Sequence, residues 1–231
     1  MSPMACSVLS PRGMVGRVLD QRPVALLAFG FAWTIVVATG LGVLWHYQTA
    51  AGIAGAPPTR WPRDSRIVPA NDRPTLVVAL HPHCPCSRAS MEELDRLMAR
   101  VHDRVSAHVL FIKPRELSDD WMHTDLWRRA AAIRGVAVLG DVDGIEAERF
   151  NAATSGQTML YAADGRLLFS GGITSSRGHA GDNAGRSAIV ALLTSRIAAT
   201  RSTPVFGCSL LGAHAPHARD GSTRAETRDV L

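Results

Sequence analysis

Four cysteines in 231 residues is a small number, and the chain also lacks any stripe of Arg and Lys interleaved with aromatics, any internal repeat, and any complete calcium loop. The missing basic-aromatic stripe removes nucleic acid as a partner, because such binding needs a concentrated positive face. The formal charge of +5 does not restore it. Residues 1–66 carry six Arg against two Asp and residues 196–231 carry five Arg against three acids, while the middle holds 14 basic and 15 acidic residues. The surplus therefore lies in the flanks, and the body of the chain is close to neutral. The segment "DVDG", 141–144, lacks the third acidic position and the distal Glu of an EF-hand, which removes calcium. An apolar content of 46% supplies a core and excludes a disordered or fibrous chain.

What is present begins with "PVALLAFGFAWTIVVATGLGVLW", 23–45, an uncharged run of 23 residues. As a helix it spans about 34 Å, against a hydrocarbon core of about 30 Å. Arg12, Arg17 and Arg22 precede it, so the positive-inside bias leaves residues 1–22 in the cytoplasm and sends the remainder across. A cleaved signal peptide competes, with small residues at 49–56, but the apolar run exceeds the usual h-region. Either way, everything past residue 46 is expected outside the cytoplasm, on the periplasmic side, where disulfides persist. Cys6 lies before the run and is expected to be a thiol without a role.

Residues 46–73 contain four prolines and no apolar periodicity, and read as a semi-extended tether. A domain is expected over 74–199. "TLVVAL", 75–80, has the continuous β-branched character of a strand buried on both faces. Met91, Leu94, Leu97, Met98 and Val101 then fall at helical spacing, with Ser87 or Ser90 as the cap. Strands follow at 106–113 and 136–141, with one helix between them over 119–134, capped by Ser118 and stopped by Gly135. A short helix is expected over 145–153, a hairpin over 157–172 around Asp164-Gly165, and a last helix over 184–199. This order predicts an α/β fold, a mixed sheet with helices on both faces, preceded by one N-terminal transmembrane helix. The strand at 157–162 should run antiparallel to that at 75–80. The tail, 200–231, is polar and expected to be mobile, apart from 203–210, whose "TPVFGCSL" is apolar enough to dock on the domain.

The chemistry concentrates in "HPHCPC", 81–86, where the first strand meets its helix. Thiolate is the reactive form of cysteine, and a helix N-terminus stabilises it. Cys84 is placed there, and His81 and His83 could add positive charge or take a proton. A buried small hydrophobe is the bland alternative, but a polar, Pro-bracketed turn suits core cysteines poorly. Two partners for Cys84 stay open. Cys86 is so close that a bridge would need a bent, strained turn, which favours an oxidant or isomerase. If 203–210 docks, Cys208 could instead resolve Cys84 or Cys86; the alternative for Cys208 is a lone thiol or a purely structural bridge.

The strand, cysteine-bearing turn, helix and closing ββα resemble the thioredoxin fold over 75–199, and the resemblance implies thiol-disulfide exchange with protein substrates and a further redox partner. In that family's pattern Cys84 takes the first cysteine position and Ser87 the second, with Cys86 between them. The family's cis-proline is missing: Gln157 stands before Thr158, and a trans bond is expected because a non-proline cis bond costs about 2.5–4 kcal/mol. More narrowly, "HCPCS", "SGQTMLYAADGRLLFSGGIT", "RGHAGDNAGR" and "VFGC" resemble the membrane-anchored, thioredoxin-like RedB group.

The topology brings Gln157, Thr158 and the long loop "ITSSRGHAGDN", 173–183, to the cysteine end. His179, Asp182, Asn183 and Arg186 are candidates there for general base, helix cap, hydrogen-bond donor and anion clamp; the alternative is a solvated loop in which Asp182 or Asn183 merely caps the helix. The expected function is a membrane-anchored, extracytoplasmic thiol-disulfide oxidoreductase that needs no cofactor, with Cys84, Cys86 and Cys208 as reactive residues. The alternative is a copper or zinc module using His81, His83, Cys84 and Cys86, a soft set suited to Cu(I) or Zn(II). His214 and His217 are expected to be tail residues.

Overall fold

β1 (Thr75–Leu80) is buried at every position, as its unbroken apolar run requires, and this fixes it at the centre of a five-stranded sheet. It pairs in parallel with β2 (Ser106–Lys113) and antiparallel with β4 (Gln157–Tyr161). β3 (Val136–Val142) lies outside β2 and β5 (Leu167–Gly171) outside β4, giving the order β3-β2-β1-β4-β5. The computed structural model describes residues 22–195 and 197–210. Cys6, Arg12, Arg17, His214 and His217, and the expected mobility beyond residue 210, lie outside that range.

The two-residue period of β1 divides the core. Leu76, Val78 and Leu80 face one side, where they meet Met91, Leu94, Leu97, Met98 and Val101 of α2 (Pro85–Val101). Leu126 and Ala130 of α3 (Asp125–Ala132) and Ala188, Ile189 and Leu192 of α5 (Ala184–Thr194) complete that layer. Each large side chain so buried contributes about 1.5–3 kcal/mol. Val77 and Ala79 face the other side, against Phe150, Met159, Tyr161 and Ala147 of α4 (Ile145–Arg149). Helices therefore flank both faces. α4 starts where buried Asp141 accepts the N–H groups of Glu146 and Ala147, so the first acid of "DVDG" serves as a cap.

A four-turn helix does not cover 119–134. A 3-10 turn at Asp119–Trp121 is separated from α3 by Thr124, whose extended backbone (ψ −179°) ends one element before the next begins. α2 starts at Cys84 with no side-chain cap, because Ser87 Oγ turns instead to the carbonyl of His81 and to Ser155 Oγ. α4 and α5 are shorter than the spans 145–153 and 184–199. The hairpin turns at Gly165, with φ +80°.

Residues 52–67, expected as part of a free tether, lie on the second face of the sheet. Trp61 meets Phe150 and Tyr161 edge-on, with ring centroids 5.1 and 5.2 Å away, Ile67 is buried, and Tyr161 Oη donates to the carbonyl of Pro58. Composition disguised this: a stretch that packs through isolated apolar anchors and backbone hydrogen bonds has no periodicity to reveal it. Segment 201–210 follows β5 and then residues 153–155, through Gly172 N–H to Pro204 O, Ser155 N–H to Cys208 O and Leu210 N–H to Ala153 O. Val205 and Leu210 are buried.

Described by itself, α1 (Arg22–Thr49) is a helix of 28 residues whose stretch Pro23–Thr49 is long and apolar enough to cross a membrane, with a mean hydropathy of 2.1 in its most apolar window. It is apolar all round, and the Thr34 hydroxyl is satisfied by the carbonyl of Gly30. A helix apolar on every side belongs in a large core or a bilayer.

Candidate active site

Cys84 is the N-cap of α2, with Pro85 in the first turn, so the chain leaves a buried strand and delivers this sulfur to the positive end of a 17-residue helix. Its Sγ lies 3.0 Å from Sγ of Cys208, which arrives from 124 residues away on the docked tail segment. All three cysteines of the domain are free thiols that meet here; Cys84 is 4% exposed, Cys86 is also buried, and Cys208 is half-buried.

Their acidities diverge. The Cys86 thiol donates to Cys84 and, with burial opposing and the Cys208 thiol adding a second donor, holds Cys84 far below the usual cysteine range, at about 4. Cys86 moves the other way, chiefly because its proton is held by Cys84 and because it is buried. Burial, then the contact with Cys84, pushes Cys208 up to about 11. The cluster is thus one thiolate cradled by two thiols.

Ser155 ties the site together: its Oγ accepts from the backbone N–H of His81 and shares a hydrogen bond with Ser87 Oγ, while its own N–H donates to Cys208 O. Ser87 is therefore a structural link. Arg177 closes the other side. Its guanidinium donates to the carbonyls of Gly207 and Ala50, at 2.5 and 3.1 Å, and its charge favours the thiolate forms of Cys86 and Cys208.

The histidines turn away from the sulfurs in their hydrogen bonding. His83 Nε2–H donates to the Trp121 carbonyl, His81 Nδ1 accepts from the His83 N–H, and both rings stack about Trp121. Burial holds His81 below the usual histidine range, against the pull of the Cys84 thiolate, so it adds no fixed positive charge at neutral pH. Among the described residues no group of three or more His, Cys, Asp or Glu is arranged to hold a metal ion.

The remaining candidates are engaged by other groups of the chain. Gln157 is fully buried and its amide is consumed by the backbone: it accepts from Gly55 and Ala153 N–H and donates to Gly55 O. Thr158 is also buried, its hydroxyl donating to Gly156 O, and every described peptide bond is trans. His179 is exposed, with Nδ1–H on the Arg177 carbonyl. Asn183 caps α5 by accepting from Arg186 N–H, and Arg186 clamps Glu93 at 2.6 Å and Asp182 at 3.0 Å. Glu93, on α2, is fully buried and also receives Asn183 Nδ2, Gly181 N–H and Arg96. The anion held by Arg186 is internal. Neither Ser155 nor Arg177 stood out in the sequence: nothing in the composition of the loop 173–183 says which polar residue turns inward.

No family model matches the chain, and no curated protein matches it at a significant level. Solved structures do. An uncharacterized conserved protein from Geobacillus kaustophilus is 21% identical over 72% of this chain and 94% of its own, with a TM-score of 0.52. A hypothetical protein from Sinorhizobium meliloti is 18% identical over 71% of this chain and 96% of its own, with a TM-score of 0.50. The pneumococcal exposed lipoprotein thioredoxin from Streptococcus pneumoniae is 16% identical over 54% of this chain and 86% of its own, at a TM-score of 0.40. The first two likenesses show a shared fold, here the five-stranded mixed sheet β3-β2-β1-β4-β5 with flanking helices.

Proposed function

We propose that this chain is a membrane-anchored, extracytoplasmic thiol-disulfide oxidoreductase whose redox couple is Cys84 with Cys208. The observation that carries the reading is the 3.0 Å approach of the two sulfurs, which needs a movement of about 1 Å to reach a disulfide bond length. Cys84 supplies the thiolate, because the N-terminus of α2 and the Cys86 thiol both favour its charge. Cys86 acts as the donor that keeps that charge in place. The apolar helix Pro23–Thr49 and the Arg residues before it support anchoring with the domain outside the cytoplasm, where such a disulfide is stable. Protein thiols or disulfides are the substrates, and a second redox protein resets the couple.

The test is a bridge map of the full-length protein in detergent, equilibrated across a glutathione series and digested without reduction. A Cys84–Cys208 peptide that appears and disappears with redox poise is the expected result. Cys84 that never oxidises, and alkylates no faster than Cys6, would overturn the reading.

A further inference from the structure

A cavity of about 580 Å³ opens beside the cysteine cluster, between the strap at 52–56, the loop at 148–154 and the docked tail. Ile53, Ala152 and Ala153 give it apolar walls, and Arg177, Gly207 and Cys208 form the side nearest the sulfurs. Cys208 is the one cysteine of the three that is not buried. Cys84 lines a smaller depression of about 210 Å³, bounded by His83, Arg88 and Asp125, and is 4% exposed.

We infer that external protein thiols exchange at Cys208, reached through this cavity, while Cys84 serves as the internal leaving sulfur. The inference rests on the Cys84–Cys208 couple proposed above. The occupant is an unfolded, cysteine-bearing peptide segment with apolar neighbours: its thiol is what Cys208 can react with, and its side chains suit walls of Ile and Ala. In the oxidised protein the incoming thiolate forms a bond to Cys208 Sγ, the bond between Cys208 Sγ and Cys84 Sγ breaks, and the electron pair stays on Cys84 as thiolate. A second substrate thiolate then attacks the substrate sulfur of the mixed disulfide, and Cys208 departs and takes up a proton. Two substrate thiols lose two electrons and two protons; the protein disulfide becomes one thiolate and one thiol, and one proton passes to water.

The acidities support this direction. The better leaving sulfur is the one with the lower pKa, and Cys84 at about 4 lies far below Cys208 at about 11. Stabilising the reduced state in this way makes the disulfide an oxidant. Arg177, on the cavity wall, adds positive charge where a thiolate must approach.

The experiment uses the oxidised full-length protein in detergent and a short single-cysteine peptide with leucine on each side of the cysteine. After millisecond mixing, acid quench and alkylation, mass mapping locates the peptide and the alkyl group. The expected product carries the peptide on Cys208 and the alkyl group on Cys84 in about nine of ten modified molecules. The reverse pattern overturns the inference and leaves the couple intact, whereas a bridge that never joins Cys84 to Cys208 removes the couple itself. Ile53→Trp, a change at a side chain 82% exposed, tests the route. Peptide attack should slow about fivefold while attack by 2-mercaptoethanol stays within about twofold; equal rates for wild type and variant with the peptide would remove the cavity from the path.

Discussion

Arg177 donates from its guanidinium to the carbonyl of Gly207, 2.5 Å away, and so holds the residue that precedes Cys208. The same guanidinium reaches Ala50 O, so a single side chain from the loop after β5 secures both the backbone at Ala50 and the tail. Its charge also opposes the burial that raises the Cys208 thiol.

Removing that charge with Arg177→Met should therefore raise the Cys208 pKa further and slow its alkylation at fixed pH. Arg177→Lys should recover part of the rate, since a point charge restores the electrostatics without the forked hydrogen bonds. Site-resolved alkylation followed by mass mapping reads both effects. Equal Cys208 rates in wild type and Arg177→Met would leave Arg177 a purely mechanical fastening.

The cluster also makes the reduced protein pH-sensitive. Cys84 is depressed from 9.0 to about 4, so its contribution to stability is full above the unfolded value and is lost as pH falls through the folded one. Cys208 and Cys86 are raised, so theirs is full below about 9 and declines at higher pH. Urea midpoints of the reduced protein should rise between about pH 5 and 8, and Cys84→Ser should flatten that slope. A slope unchanged by the substitution would mean that other groups set it.

Much of this arrangement was legible from local pattern. The run "TLVVAL" announced a central strand, the 3.6-residue spacing from Met91 announced α2, and Asp164-Gly165 announced the hairpin. What local pattern misses is closure over long sequence separation. Gln157 has the position of a substrate contact but spends its amide on Gly55, 102 residues away. Arg186 has the chemistry of an anion clamp, and its anion is a carboxylate of the neighbouring helix. The segment 52–67 is invisible to periodicity because two anchors, Trp61 and Ile67, do the packing.

Glu93 supplies a prediction that separates architecture from substrate binding. It is a fully buried carboxylate held by Arg186, Arg96, Asn183 and the Gly181 N–H. Arg186→Leu removes the more buried of the two arginines that hold Glu93 and should cost about 3 kcal/mol, because a buried charge loses its partner. Urea unfolding measures the loss. The bridge map and the thiolate of Cys84 should be unchanged below the transition; a specific loss of substrate affinity without loss of stability would return Arg186 to the site.

The anchor is tested by mass. Membrane-extracted protein should carry its apolar helix, Pro23–Thr49, intact. A mature N-terminus near residue 57 would identify the segment as a cleaved signal.

The docking of the tail depends on a close backbone approach at Gly207. A Cβ built on Gly207 would stand 1.9 Å from the carbonyl oxygen of Ser155, a distance no side chain tolerates, and the obstacle is backbone that cannot swing aside. Gly207→Ala must therefore push the tail off residues 153–155, breaking the hydrogen bond from Ser155 N–H to Cys208 O and the grip of Arg177. Cys208 then leaves Cys84, while β1, α2 and the Cys86 contact keep their own supports in the core. The expected outcome is that the Cys84–Cys208 bridge forms at least about tenfold more slowly, as loop closure loses its preorganised geometry, with the thermal unfolding of the domain shifted by only a few degrees. Cys208 should alkylate faster at the same time, because it gains exposure. Bridge formation at the wild-type rate in Gly207→Ala would mean that the tail reaches Cys84 without the contact at Ser155, and the geometry around Gly207 would no longer account for the pairing.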